Sequence, residues 1–271
     1  MKTRRMWLSF KTICSQFCFL HVLSLASWAE CKEPVTVTFE LEQRIVTLRE
    51  PVHVNFSVQN HTAEAVSFDL GFDKKEGFRL SIAQPDGSTT ALPAYSRGGL
   101  GTSGLIEISP GTTYKQTILL DEIYVIKQVG EYTISAKLSS PIQTSSGIKV
   151  QPIGWEAMKL SVLKRDAARL SAICEKLAKT AIEGEHEAAR SAAFDLRYVQ
   201  DPVAIPALDG VLGKAKSPMK EDAVAGLVAI GNADAVGVLT SHLSDADAGL
   251  KLKIESALTQ IRTGVKFEVN D

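Results

Sequence analysis

The chain has 271 residues, of which 45% are hydrophobic and 23% charged, with a formal net charge of −1. That length suits one or two domains plus a leader, and the composition excludes a disordered chain. Lys2, Arg4, Arg5 and Lys11 lie within the first eleven positions, so the rest carries 26 of the 30 bases against 31 acids and offers no basic footprint for nucleic acid.

Residues 1–29 read as a signal peptide. The basic start is followed by an apolar stretch from Ile13 to Leu25, then by Ser27-Trp28-Ala29, small residues on either side of an aromatic. The apolar part is short for a membrane span, and no later segment is long and apolar enough to be one. The mature chain is expected to be exported, periplasmic or secreted. Thr3-Arg4-Arg5-Met6-Trp7-Leu8 resembles the twin-arginine export signal, although paired arginines also occur in ordinary leaders. Glu30 stands where a lipid anchor on Cys31 would need a small residue. Cys31 and Cys174 survive cleavage, and one such pair is no disulfide framework and cannot complete a four-ligand metal site.

From Val35 the texture is period-2 alternation. Val35, Val37, Phe39 and Leu41 form one run, and Val52, Val54, Phe56 and Val58 a second, with His53, Asn55, Ser57 and Gln59 on its other face. Val66–Phe68–Leu70, Phe78–Leu80–Ile82, Leu105–Ile108, Tyr114–Ile118–Leu120, Tyr132–Ile134–Ala136–Leu138 and Met158–Leu160–Val162 come next. Pro85-Asp86-Gly87, Pro110-Gly111 and Gly130 punctuate them. About eight short strands predict an antiparallel two-sheet sandwich. Gly130-Glu131-Tyr132-Thr133-Ile134 resembles the immunoglobulin-type step in which a tyrosine hydroxyl ties a corner loop. Ile134 stands where that family has its cysteine, so the resemblance implies an immunoglobulin-like sandwich without the inter-sheet disulfide.

Gly99-Leu100-Gly101-Thr102-Ser103-Gly104 has the letters of a dinucleotide loop, but Leu105–Ile108 after it reads as strand where that motif needs a helix. The Pro93–Gly104 segment is therefore expected to be an inter-strand loop. Tyr95, Tyr114, Tyr124 and Trp155 are the aromatics that could stack on sugars.

From Asp166 onward the pattern becomes helical. Ala192–Leu196–Val199, Ala223–Leu227–Ile230 and Ile254–Leu258–Ile261 are apolar stripes of spacing i, i+4, i+7, each 31 residues after the last. Asp201-Pro-Val-Ala-Ile-Pro-Ala-Leu208 returns as Asn232-Ala-Asp-Ala-Val-Gly-Val-Leu239, with Leu177 one period before Leu208. A fixed period of this length marks stacked helix pairs. These residues resemble HEAT repeats of the short, phycobilisome-lyase type, over about 100 residues and three pairs. The resemblance implies protein–protein contact; no pigment-handling residues accompany it. The first copy lacks the Asp-Pro opening. Only Lys164-Arg165 separates the last strand from Asp166, so the sandwich is expected to cap the first pair.

No catalytic, cofactor-binding or metal-ligating constellation is legible. His53, His61, His186 and His242 have no ligand spacing, and Glu185, His186 and Glu187 point apart as neighbours on a helix. Asp245 and Asp247 fit a helix N-cap. The outward face of the 192–199 helix carries Phe194 between Arg190 and Arg197, the composition of an interface centre. Its alternative is Phe194 packed within the protein. The expected architecture is multidomain, all-β plus all-α: a signal peptide (1–29), an immunoglobulin-like antiparallel β-sandwich (30–164), a short α-solenoid (165–264) and a C-terminal tail (265–271). Its expected role is a non-enzymatic interaction or scaffold protein of the cell envelope, meeting another protein through Arg190, Phe194 and Arg197. The alternative is a carbohydrate-binding or adhesion module. Mass spectrometry of the exported chain is expected to show an N-terminus at Glu30; retention of Met1 or a lipid on Cys31 contradicts the leader assignment.

Overall fold

The computed structural model describes residues 33–71, 76–92, 104–150 and 154–264. The leader, Cys31, Tyr95, the glycine-rich loop up to residue 103 and the tail from residue 265 lie outside these residues. From Pro34 onward the described residues belong to one compact unit.

The N-terminal part is all β. Its strands are β1 (Val35–Leu41), β2 (Ile45–Thr47), β3 (His53–Asn60), β4 (Val66–Asp69), β5 (Phe78–Ala83), β6 (Thr89–Ala91), β7 (Leu105–Ile108), β8 (Thr113–Leu119), β9 (Gly130–Leu138), β10 (Ile142–Thr144), β11 (Lys149–Val150) and β12 (Glu156–Leu163). They make three sheets, ordered β1-β3-β8, β11-β10-β4-β7 and β2-β12-β9-β5-β6. Alternation along the sequence becomes alternation of burial. Val54, Phe56 and Val58 of β3 are buried while Asn55 and Gln59 face outward, because successive side chains of a strand point to opposite faces.

The inward side chains of all three sheets share one core. Phe56 sits at its centre, with ring centroids of Phe39, Phe68, Phe78 and Tyr114 at 5.0, 6.2, 4.8 and 6.3 Å. Most of these pairs meet edge to face, the arrangement that ring quadrupoles favour. The buried Tyr132 donates its hydroxyl to the Gln128 carbonyl, 2.9 Å away and four residues upstream. Gly130, which opens β9, has φ +137°, and a Cβ there would lie 2.6 Å from Pro85 Cγ. Only glycine meets both demands.

The ladder differs from a purely antiparallel two-sheet arrangement. β2 pairs parallel with β12, Val46 opposite Val162, and β4, β7, β10 and β11 form a sheet of their own. β2, β6, β10 and β11 escape the sequence pattern for a physical reason: each has three residues or fewer, so none can show a repeat of alternation.

The C-terminal part is helical: α1 (Ala167–Glu183), α2 (His186–Tyr198), α3 (Ile205–Lys214), α4 (Ser217–Ile230), α5 (Ala233–Ser241) and α6 (Ala248–Thr263). α2, α4 and α6 begin 31 residues apart, and α2 packs on α4 as α4 packs on α6. The second echo is a pair of caps. Asp201 accepts from Val203 N–H at 3.0 Å and Asn232 accepts from Ala235 N–H at 2.9 Å, each satisfying an N–H left over at a helical start. Asp247 caps α6 in the same way.

Leu196, Leu208, Leu227, Leu239 and Leu258 are buried, while Leu177 is half-buried against the same core. Small residues let the layers close. Gly226, inside α4, faces Leu208 Cδ2 at 2.9 Å and the Arg197 Cα at 3.2 Å from where its Cβ would be. Cys174 is a buried thiol, pushed up to about 12 by burial and by the charge of Asp201, and is unreactive in that state.

Leu227 is 0% exposed, so Leu227→Ala is expected to lower unfolding free energy by about 2–5 kcal/mol. Urea denaturation measures this, and a loss near zero would remove Leu227 from the core.

Candidate functional site

The β and helical parts meet through polar chemistry. Glu50, 4% exposed, accepts from Thr47 N–H at 2.9 Å through one oxygen and pairs with Arg169 Nη2 at 2.9 Å through the other. Arg169 also donates to the Ile45 carbonyl and to Gln43. Thr47 Oγ1 donates to the Lys164 carbonyl and accepts from Asp166 N–H, and Asp166 in turn caps α1 through Arg169 N–H. Arg165 grips Asp201 with two nitrogens, at 2.6 and 2.8 Å. That paired contact holds the Asp201 carboxyl below the usual carboxylate range, opposed by burial and helped by Val203 N–H. Among the described residues no buried side-chain nitrogen or oxygen lacks a partner.

A second contact joins β3 to α2. His53 Nε2 lies 3.0 Å from Asp195 Oδ1, and its Nδ1 lies 3.2 Å from Glu42 Oε2. Asp121, in the 3-10 turn after β8, accepts from Val52 N–H beside them, and burial pushes its carboxyl up to about 7. Asp195 is 9% exposed and sits about 60° to one side of the Ala192 stripe of α2. This cluster was not evident from the sequence: the two partners are 142 residues apart, and His53 belongs to an ordinary polar strand face. The available signal was an acid placed at the margin of a buried helix stripe.

Arg190, Phe194 and Arg197 occupy one side of α2, away from that stripe. Arg190 is exposed, whereas Phe194 and Arg197 are half-buried. The Phe194 ring meets Tyr198 edge to face at 5.1 Å. The Arg197 guanidinium carbon lies 6.0 Å from the Phe194 centroid and 5.5 Å from that of Tyr198. Arg197 Nη1 also reaches Asp222 of α4 at 3.4 Å. Burial raises Asp222 against the pull of Arg197 and Arg190. One helix further, Glu221 of α4 pairs with Lys253 of α6. Arg190, Phe194 and Arg197 thus lie on one patch, but Arg197 already has an acid and Phe194 already has an aromatic neighbour.

The other candidates scatter. His242 pairs with Asp209 at 2.7 Å and His61 with Thr36 at 3.1 Å. His186 is exposed at the start of α2, and contrary to the expectation that helix neighbours point apart, its Nδ1 lies 3.5 Å from Glu187 Oε1. Among the described residues no group of three or more His, Cys, Asp or Glu side chains is placed to hold a metal ion. At His53 the reason is visible, since Glu42 and Asp195 lie on opposite ring nitrogens and do not converge. Tyr114 and Tyr124 pack against the β core, and Trp155, 51% exposed, has Lys137 Nζ 4.8 Å from its ring centroid. Asn60 is fully buried, donating to the Glu64 and Ile108 carbonyls. No described helix is long and apolar enough to cross a membrane.

No protein-family model and no curated protein matches the chain. Among solved structures it is similar to the CARDB domain of a Pyrococcus furiosus protein in complex with di-metal ions. That likeness has 13% identity, covers 49% of this chain and 97% of the other, and has a TM-score of 0.28. The sporulation control protein Spo0M of Bacillus subtilis gives 14% identity, 55% of each chain and a TM-score of 0.29. A beta-glucosidase of Listeria innocua gives 12% identity over 47% of this chain and 16% of that one, with a TM-score of 0.27. Likenesses this low carry neither a fold nor an activity over to this chain. The class established is a β region of three sheets joined to a helical region of six described helices.

Asp201 has a lowered pKa, so its pairing stabilises the fold above the ordinary carboxylate value of 3.8 and is lost as pH falls through the lowered value. Asp201→Asn keeps an N-cap acceptor but removes the charge. Urea midpoints compared at about pH 5 and about pH 2.5 are expected to fall less in this variant than in the parent. An identical fall would take Asp201 out of the acid response.

Proposed function

We propose that this is an exported, non-enzymatic protein–protein interaction or scaffold protein of the cell envelope. Its β region is read as an immunoglobulin-like sandwich and its helices as a three-pair, HEAT-like α-solenoid. Support for the sandwich comes from the core shared by all sheets and from the Tyr132 hydroxyl bonded to the Gln128 carbonyl. The observation that carries the functional reading is the row of α2, α4 and α6, spaced 31 residues apart and packed side by side. Such a row presents equivalent positions of successive helices on one continuous surface, as repeat arrays do when they bind partners.

The partner is a protein that meets the row at Arg190, Phe194 and Arg197. Arg190 brings an exposed guanidinium able to grip a carboxylate in two places, and the Phe194 edge supplies apolar area beside it. Pull-down from envelope extract with the whole mature chain identifies the partner. Arg190→Gln, which removes the cation without placing a second acid beside Asp222, is expected to weaken capture at least tenfold with little change in melting temperature. Phe194→Ala is expected to weaken it by about 1–2 kcal/mol and, because the ring touches Tyr198, to lower the melting temperature slightly. Full capture by both variants refutes this surface.

One observation favours the alternative of a carbohydrate-binding or adhesion module. A groove of about 430 Å³ runs over β1, β3 and β8, lined by Thr38, Glu40, Asn55, Ser57, Lys115, Gln116, Thr117 and the buried Phe56. Its hydroxyls and amides suit a polyol, but it has no exposed aromatic platform among these residues, which places this reading second. Binding on a glycan array, abolished by Asn55→Ala, would reverse the order.

A further inference from the structure

We propose that His53 is a pH-dependent latch between the β region and helix α2, closed while the ring is doubly protonated and slackened when it loses a proton. The inference stands on the two-sided geometry of the ring. A neutral imidazole has one N–H and one lone pair, whereas a carboxylate only accepts. His53 presents Nε2 to Asp195 at 3.0 Å and Nδ1 to Glu42 at 3.2 Å. In either neutral tautomer, one lone pair therefore faces a carboxylate oxygen. The imidazolium alone can face both acids with an N–H, so this arrangement selects the cation.

The charges acting on the ring are all acidic: Asp195 from α2, Glu42 from the turn after β1, and Asp121 from the 3-10 turn after β8. Burial by itself lowers the His53 pKa, but the hydrogen bond to Asp195 and these three charges outweigh it and raise the pKa above 6.5. A raised histidine contributes its full stabilisation below 6.5 and loses it as pH climbs through the folded value. Asp121 adds to this trend. Its carboxyl, raised from 3.8 to about 7, is favoured in its neutral form, and that preference is spent by the time pH reaches about 7. Both titrations lower stability as pH rises, while the Asp121 charge, once formed, attracts the imidazolium. The latch is tightest in mildly acidic medium and loosest in alkaline medium, where the neutral ring turns a lone pair to Asp195 or to Glu42 with ionised Asp121 nearby.

The test uses the whole chain, with histidine ring protons followed by NMR and melting temperature recorded between about pH 5.5 and 9. His53 is expected to titrate above 6.5 and to titrate lower in Asp195→Asn, which lacks the acceptor charge. The wild-type melting temperature is expected to fall across this range, and His53→Gln, which cannot titrate, to flatten the fall. If His53→Gln does not fold, the Asp195→Asn titration decides alone. A His53 that titrates at or below 6.5 overturns the latch, as does a melting curve whose pH slope above about 7, where Asp121 has already ionised, is the same in His53→Gln as in the parent.

Discussion

The passage from the last strand into the first helix is organised around one buried carboxylate. Glu50 is held almost entirely out of water, and an unpaired charge there would cost several kcal/mol, on the order expected for an isolated buried ion. Its two oxygens are therefore committed, one to Thr47 N–H and one to Arg169. The same Thr47 holds the Lys164 carbonyl and Asp166 N–H. The chain leaves β12 and enters α1 across only three residues, and this network fixes the angle at which it does so. Everything after α1 inherits that direction, including the side of α2 that places Asp195 against β3.

α2 consequently serves two neighbours at once. Its buried stripe, Ala192, Leu196 and Val199, belongs to the helical core, Asp195 turns to the β region, and Arg197 turns to α4. Charges between the helices are arranged in opposite pairs, Arg197 with Asp222 and Glu221 with Lys253. The Glu221–Lys253 pair is largely exposed, and such a pair adds little stability, typically under about 1 kcal/mol, whereas Arg197 and Asp222 are half-buried. The larger effect of both pairs is to fix register, because a shifted helix would bring like charges together.

The strands with a long alternating run were legible in the sequence, since β1, β3, β9 and β12 each carry at least three buried side chains at period 2. The 31-residue echo was legible as well, because a helix stripe and its cap are local patterns. The short strands β2, β6, β10 and β11 were not, and neither was the parallel pairing of β2, which depends on a partner more than 100 residues away. Phe194 shows the limit of a helical wheel. The wheel puts it opposite the stripe, where it is, yet cannot say that Tyr198 and Arg197 shelter half of it. His53 lay on a polar strand face with nothing to set it apart from its neighbours, and only the fold brings an acid to each of its nitrogens.

The 31-residue spacing also determines how the helical part can change length. If each helix pair contacts only its neighbours, the unit of growth is one whole period, because a copy of residues 201–231 placed after Gly231 would present the same apolar stripe and the same cap to the pair on either side. An insertion of one or two residues inside a helix would instead rotate everything beyond it by about 100° per residue and bring charged side chains under the next layer. Loops between pairs are free of that restriction. Natural variants of this chain should therefore differ by complete modules or by loop length, with intermediate sizes selected against.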